Sequence, residues 1–438
     1  MLKKKILNYI LNVNHTVVDE VKLFDDDSIV FYVHPTKGEI CRCGKCGRKC
    51  KFFDAYKGTV IEPEHRLWRG LDIGTHKAYI CSEVYRVDCP EDGPTVCAFP
   101  WARHGSRFTK DFENTVAWLS LNCSKKAISQ YMRISWNTVG PIIERVRDEL
   151  DIDPEHRYDN LTCIGIDETS YRKGYKYMTI VINHDTGAVI WAAPGYGDDV
   201  LAKFFEELTE EQKASIKLVS ADGAKYIARC VEKYCPNATR CIDPFHVVEW
   251  INEALNSVRI QAWHEAQENA KNKQEQQKSE DQKKSVTSKK SDEASAIKNT
   301  KYALSKNPEN LTVNQRAKLE LIAKTDTRLW RGYKLKETLR NVFKLTLAAG
   351  KEALDKWISW AQRCRIPAFV ELQKKIKRHY DAILATLEYH ISNARSEAVN
   401  NKIKLAIRMA YGFRNIGNMI SMIMLRCSDI GVPLPWAW

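Results

Sequence analysis

The segment IGIDETSYRKG, residues 164–174, carries two acids, Asp167 and Glu168, at the end of the short apolar run Cys163–Ile166, followed by a polar, basic turn. Downstream, VSADGAKY places Asp222 after a second apolar run, and DPFHVVEW places Asp243 before a proline, with His246 in the turn that follows. Carboxylates brought together from two strand ends can hold divalent cations. A histidine beside them can move a proton or contact a phosphate near neutral pH. Each residue also has a plain structural use. An acid after a strand can cap a turn, Asp-Gly is a common turn pair, and Asp-Pro is the usual order of helix cap and first-turn proline. For Asp243 the cap is the preferred reading.

A second group carries thiol chemistry. EICRCGKCGRKC gathers Cys41, Cys43, Cys46 and Cys50, and the C-x-x-C pair Cys43 and Cys46 is flanked by Gly44 and Gly47. That spacing lets one tight turn aim two thiolates at a tetrahedral ion. The remaining ligands must come from Cys81, Cys89 or Cys97, or from CPEDG, which reads as a second knuckle with Asp92 where a cysteine is usual. The expected zinc set is Cys43, Cys46, Cys89 and Asp92, with the fourth ligand left open; the alternative is a group of reduced, buried cysteines. Clustering of the cysteines, rather than their spread as a disulfide framework, suits a reducing, cytoplasmic setting.

Charge points the same way as the acids. The chain has 438 residues with a formal net charge of +13, which favours a polyanionic partner, nucleic acid before anionic membrane. No stretch approaches the ~20 uninterrupted apolar residues of a membrane span. The opening MLKKKILNYILNVNHTVVDE is interrupted by Asn and His, and is read as the first element of a folded domain.

The elements that would position these groups follow from periodicity and caps. Residues 106–150 are helical, with Phe112, Val116 and Leu119 on one face. Thr109, Ser124 and Ser135 are expected N-caps, and a break near Arg133 and Ile134 separates a short helix bearing Ala127, Ile128 and Tyr131 from one bearing Val139, Ile142, Ile143 and Val146. This is a helix-turn-helix pattern, with Trp136, Asn137 and Thr138 at the start of the helix that would enter the major groove. After the spacer DIDPEHRYDN the order becomes three strands, helix, strand, helix, strand, helix, with LAKFFEELTEEQKA as the first of those helices. A mixed sheet fits this order, which is that of the ribonuclease-H-like fold; there the first strand is central and the fourth lies beside it, so Asp167 and Asp222 would point at one place. The polar stretch 267–298 lacks an apolar face and is either a solvated helix extension or a disordered loop. Trp330, Trp357 and Trp360 alternate with basic residues and are read as core rather than as stacking surfaces for DNA.

The combination GIDE, SADGAKY and DPFHVV, together with FPWARHGSRFT and the cysteine knuckles, resembles the ISL-three family of insertion-sequence transposases. The resemblance implies an Asp-Asp-Glu catalytic core whose third acid is Glu397, in YHISNARSEAVNNKIKLAIRMAYGFRN, residues 389–415. It implies Mg²⁺ (or Mn²⁺) held by Asp167, Asp222 and Glu397, with Asp167 shared between two ions, and a basic face from Lys402, Lys404, Arg408 and Arg414 beside the acids. His246 is a further candidate at this site. The expected partner is double-stranded DNA, both the terminal inverted repeats and the target, bound by a homodimer or higher assembly, with no membrane and with the nucleoid as location. The expected architecture is a multidomain α/β chain. It has a zinc-binding region (1–104), a helix-turn-helix domain (105–150), a ribonuclease-H-like first half (160–260), a helical insertion (261–350) and C-terminal helices completing the core (351–438). Two departures stand out: Asp92 at the place of a last cysteine, and the unusually polar stretch in the insertion. Two other functions fit parts of this pattern: a DNA-binding regulator over an inert core, and a metal-dependent nuclease that cuts without joining.

Overall fold

The computed structural model describes residues 2–11, 13–55, 65–151, 157–172, 174, 176–280, 292–391, 394–410, 413 and 415–434. Arg414, residues 281–291 of the polar stretch and residues 152–156 of the spacer lie outside them. The chain forms two compact units, residues 1–157 with 402–438 and residues 158–401.

The first unit begins with α1 (Leu2–Leu11), whose Asn8 side chain accepts from the Val18 amide at 2.9 Å. The opening residues are thus a folded element. Strands β1 (Thr16–Leu23), β2 (Ile29–Pro35), β3 (Lys51–Ala55), β4 (His65–Arg69), β5 (Ala78–Glu83), β6 (Tyr85–Cys89) and β7 (Gly93–Val96) make two sheets, ordered β1-β2-β5-β4 and β3-β6-β7. Helices α2 (Lys110–Asn122), α3 (Lys125–Tyr131) and α4 (Trp136–Leu150) follow. Their caps are the expected ones: Thr109 accepts from Phe112 N, Ser124 from Ala127 N and Ser135 from Asn137 N, each at 3.3 Å. Arg133 turns the chain between α3 and α4 with φ +54°. Phe112, Val116, Ile128, Val139, Ile142, Ile143 and Val146 share one core. Ala127 and Tyr131 depart from the expected face: both are exposed, and Met132 is buried with Ile128 instead.

The second unit opens with β8 (Cys163–Arg172), β9 (Lys176–Asn183) and β10 (Val189–Pro194). The predicted single helix after them is two, α5 (Asp198–Glu206) and α6 (Glu210–Ser215), because Thr209 and Gln212 close a capping box that restarts the helix. Then come β11 (Leu218–Ala221), α7 (Lys225–Tyr234) and β12 (Thr239–Ile242). The sheet order is β10-β9-β8-β11-β12, antiparallel on the β10 side and parallel on the β12 side. It is therefore the mixed sheet expected, with the first strand central and the fourth beside it.

A helical body completes this unit: α8 (Pro244–Glu280), α9 (Asp292–Lys298), α10 (Lys301–Ser305), α11 (Val313–Thr325), α12 (Thr327–Val342), α13 (Leu347–Arg363), α14 (Pro367–Arg378) and α15 (Tyr380–Tyr389). The polar stretch is in part a continuation of α8 to Glu280. Val247, Ile251, Leu255 and Val258, at helical spacing on α8, are at most 2% exposed and anchor the body's core. Trp357 is fully buried, its indole N–H donating to Leu335 O at 2.8 Å, and Trp330 and Trp360 pack partly buried against the same core. The body runs past the expected insertion to Tyr389, and α15 closes the edge of β12: Thr386 Oγ1 accepts from Ile242 N at 3.0 Å and donates to Ile242 O at 2.7 Å.

Two helices end the chain, α16 (Ala394–Met409) and α17 (Ile416–Cys427). Met422 and Leu425 of α17 join the core of α2 and α4, within the first compact unit. No helix among the described residues is long and apolar enough to cross a membrane.

Candidate active site and metal centre

Strand register decides where the acids fall. Ala221 of β11 pairs with Ile166 of β8 on one side and Ile242 of β12 on the other. The next residues are Asp167, Asp222 and Asp243, so they form one row across three parallel strands. Asp222 and Asp243 lie just past the ends of β11 and β12, whereas β8 runs on to Arg172 because its pairing with β9 continues, so Asp167 is inside the strand rather than at the strand end expected. Asp243 is buried and caps α8, accepting from Phe245 N at 2.9 Å, as the sequence suggested. Asp222 turns the chain by accepting from Ala224 N at 2.8 Å.

Asp167 is held from several sides. One carboxylate oxygen accepts from Glu168 N at 2.7 Å, and the other accepts from the Asn400 amide of α16. Thr169 Oγ1 donates to Asn400 Oδ1 at 2.8 Å, which leaves the Asn400 NH₂ facing Asp167. Arg395, one turn earlier, fixes the start of α16 on the β9–β10 turn by donating to Asp185 O at 2.7 Å. Burial pushes the Asp167 carboxyl above the ordinary aspartate range; Asn400 and His246 oppose this, and the Asp222 charge adds to it. Glu168 is not a free solvated acid. It accepts from Tyr226 Oη, and burial, with Asp222 and Asp167, pushes its carboxyl up.

His246 lies in the first turn of α8, with Nδ1 3.4 Å from Glu249 and Nε2 3.8 Å from Asp243. Glu397 is exposed in the first turn of α16, three residues before Asn400 and therefore on the same side of that helix. It makes no hydrogen bond or ion pair among the described residues, and the helix residue that touches Asp167 is Asn400. Lys402, Lys404 and Arg408 are exposed. The structure thus brings Asp167, Asp222 and His246 together and sets Glu397 on the adjoining helix.

A basic wall backs Asp222. A Cβ on Gly223 would stand 2.5 Å from the Trp250 ring and 3.3 Å from His379 Nε2, so only glycine lets the loop approach this closely. Lys375 Nζ sits 3.6 Å from the Trp250 ring centroid, and Arg240 Nη2 lies 3.3 Å from His379 Nδ1. Burial, with Arg240, Arg378 and Lys375, pushes His379 down to about 4. Sequence reading missed Asn400, Thr169, Tyr226, Arg240 and His379. Only Asn400, one turn after Glu397, carried a local signal.

In the first unit, the side chains of Cys43, Cys46, Cys89 and Asp92 offer ligand atoms within 4.8 Å of one another. Cys43 Sγ lies 3.2 Å from Asp92 Oδ2, and Cys46 Sγ lies 3.6 Å from Cys89 Sγ. Gly47, at φ +72°, makes the first knuckle, while the turn between β6 and β7 supplies Cys89 and Asp92. The Lys45 amide points at Cys43 Sγ at 3.4 Å. Cys81 and Cys97 are buried outside this set and Cys41 also lies outside it, whereas Cys50 approaches its edge, facing Cys89 and Cys43. Among the described residues no such metal-competent grouping forms from Asp167, Asp222 and Glu397.

Comparison with known proteins names the family. A family model described as "Transposase" matches residues 164–423, and one described as "Helix-turn-helix domain of transposase family ISL3" matches residues 97–147. The "Transposase for insertion sequence element IS1557" from two strains of Mycobacterium tuberculosis is 45% identical over 427 residues, covering 96% of this chain and 94% of the relative. The "Transposase for insertion sequence element IS1001" of Bordetella parapertussis is 23% identical over 420 residues, covering 95% of this chain and 96% of the relative. With a DNA-binding helix-turn-helix and an Asp-Asp-Glu transposase domain in one chain, this protein belongs to the ISL3 family of insertion-sequence transposases.

Proposed function

We propose that this transposase cuts and joins phosphodiester bonds at the end of the mixed sheet, using Asp167, Asp222 and Glu397 as its carboxylates. One observation carries the reading: the residues that follow the paired Ile166 and Ala221 are both aspartates, side by side on adjacent parallel strands. The strand order supports a ribonuclease-H-like core. Hard oxygen donors in a row, with burial and then the Asp222 charge holding the Asp167 carboxyl up, are the donor set that Mg²⁺ or Mn²⁺ suits, with Glu397 supplied from α16. When bound, such ions activate the attacking oxygen and stabilise the leaving oxygen of an in-line displacement at phosphorus. Asn400 orients one Asp167 oxygen and leaves the other toward Glu168 N. Tyr226 fixes Glu168. His246 contacts the scissile phosphate or takes a proton from the attacking water. In the first step water opens a strand and leaves a 3′-hydroxyl; in the second that hydroxyl attacks a target phosphate and displaces the target's own 3′ oxygen.

In this reading zinc on Cys43, Cys46, Cys89 and Asp92 shapes the N-terminal sheets, and α4 reads the terminal inverted repeat. Two ends must be held at once, so the working complex is at least a dimer. The test is a labelled duplex carrying the element's own end, incubated with Mg²⁺ or Mn²⁺ and wild type, Asp167→Ala, Asp222→Ala or Glu397→Gln. Cutting and joining by wild type, lost in each variant while binding survives, is the expected result. Binding without cutting by wild type makes the protein a regulator, cutting without joining makes it a nuclease, and cutting by Asp167→Ala removes the acid row from the mechanism.

A further inference from the structure

We infer that a groove along the first half of α8 binds unpaired nucleotides of the DNA strand that passes the acid row; the inference rests on reading that row as the cutting site. The groove, about 310 Å³, lies between α8 and α10. Phe245, Asn252, Asn256 and Arg259 recur at steps of seven, four and three residues, so they line one face of α8. From Phe245 to Arg259 that face runs about 21 Å. It begins two residues after Asp243 and next to His246, within one turn of the row.

Three groups on this face lack what protein interiors normally give them. Phe245 is 62% exposed, touched edge-on by the His246 ring. Asn252 Oδ1 is buried with no hydrogen-bond partner. Arg259 is only 8% exposed, yet its Nε and Nη2 both donate to one neutral oxygen, Asn256 Oδ1, at 3.0 and 2.9 Å, and it makes no ion pair among the described residues. A buried acceptor without a donor and a buried cation without a counter-charge are both destabilising unless a ligand completes them. The missing complement is a π face, an N–H donor and an oxygen or ring-nitrogen acceptor. Nucleobases carry all three: they stack on aromatics, and a guanidinium pairs with the O6 and N7 of guanine. In a duplex the faces are hidden in the stack, so the ligand is unpaired strand. The lining also carries Glu249 and Glu253, neither ion-paired with Arg259, so it is not a purely cationic channel, which suits bases rather than the phosphate chain.

The experiment compares full-length protein binding to two duplexes of one sequence, without added divalent cation: one blunt, one ending in a short unpaired tail with a 2-aminopurine. Wild type binds the tailed duplex about tenfold more tightly, the order expected for stacking one base, and changes the probe's fluorescence. Phe245→Ala, which trims an exposed ring, and Asn252→Leu, which removes an unpartnered oxygen, each abolish most of that preference and leave the blunt-duplex Kd unchanged. Equal binding of both duplexes by wild type, or a preference that persists in both variants, overturns the inference. Displacement of the tail by micromolar deoxyguanosine monophosphate assigns the groove to a free nucleotide and overturns it as well. No cutting is read here, so a negative result is separate from a failure of the acid row, which the Asp167→Ala cleavage assay reports.

Discussion

At the scale of residues, the acid row shows how neighbours set a carboxylate's charge. Burial raises the Asp167 carboxyl and the Asn400 amide lowers it, so removing the amide raises it further. Activity that needs ionised Asp167 is then lost at a higher pH as the solution is acidified. Asn400→Ala is expected to move the acidic limb of the pH–rate profile upward and to cut the rate at neutral pH by about 10- to 100-fold, as loss of a ligand's supporting hydrogen bond typically does. Asn400→Ser, which keeps a donor, should recover part of both. His379 makes a second prediction. Its pKa in the folded state, about 4, lies below the ordinary 6.5. The unfolded chain therefore takes up a proton that the folded chain refuses, and stability is full above pH 6.5 and falls as pH drops toward 4. The loss is roughly 3 kcal/mol over that window. Denaturant midpoints of wild type should fall across it, and those of His379→Leu should fall less.

At the scale of elements, close packing decides which helices act together. A Cβ on Gly140 of α4 would stand 2.2 Å from Asn418 Nδ2 of α17, whereas one on Gly38 meets nothing within 4 Å. Gly140→Ala is expected to destabilise the helix-turn-helix unit by about 1–3 kcal/mol through overpacking. Gly38→Ala should leave thermal unfolding unchanged, and end-binding affinity should follow the same order. The caps Thr109, Ser124 and Ser135 were legible because a hydroxyl before an apolar-periodic run has a local meaning. The break between α5 and α6 was missed. Its signal, Thr209 with Gln212, was equally local, but acidic residues on both sides continue a plausible helix through it.

For the whole molecule, the zinc proposal predicts one zinc per chain, released by a strong chelator with loss of duplex binding. Binding should return on adding zinc back. Cys46→Ser is expected to lower zinc content, and Asp92→Cys to retain zinc against more chelator, since thiolate is the more usual ligand of structural zinc. What the sequence by itself determined was local or pairwise: the knuckle spacing, the caps, the alternation of strands and helices, and the two aspartates that follow apolar runs. Patterns of this kind follow from backbone geometry and the burial of one face, so they survive without tertiary context. Only the tertiary structure decided the register between neighbouring strands, since it is set by pairing across the sheet; Ile166 opposite Ala221 puts the expected pair, Asp167 and Asp222, side by side. It also decided that Asn400, more than two hundred residues from Asp167, is the helix residue that holds it. The same holds for α17, whose apolar face could have packed on any core and lies on α4. Contacts between distant segments depend on the shape of the folded chain, and no spacing along the sequence encodes that shape directly.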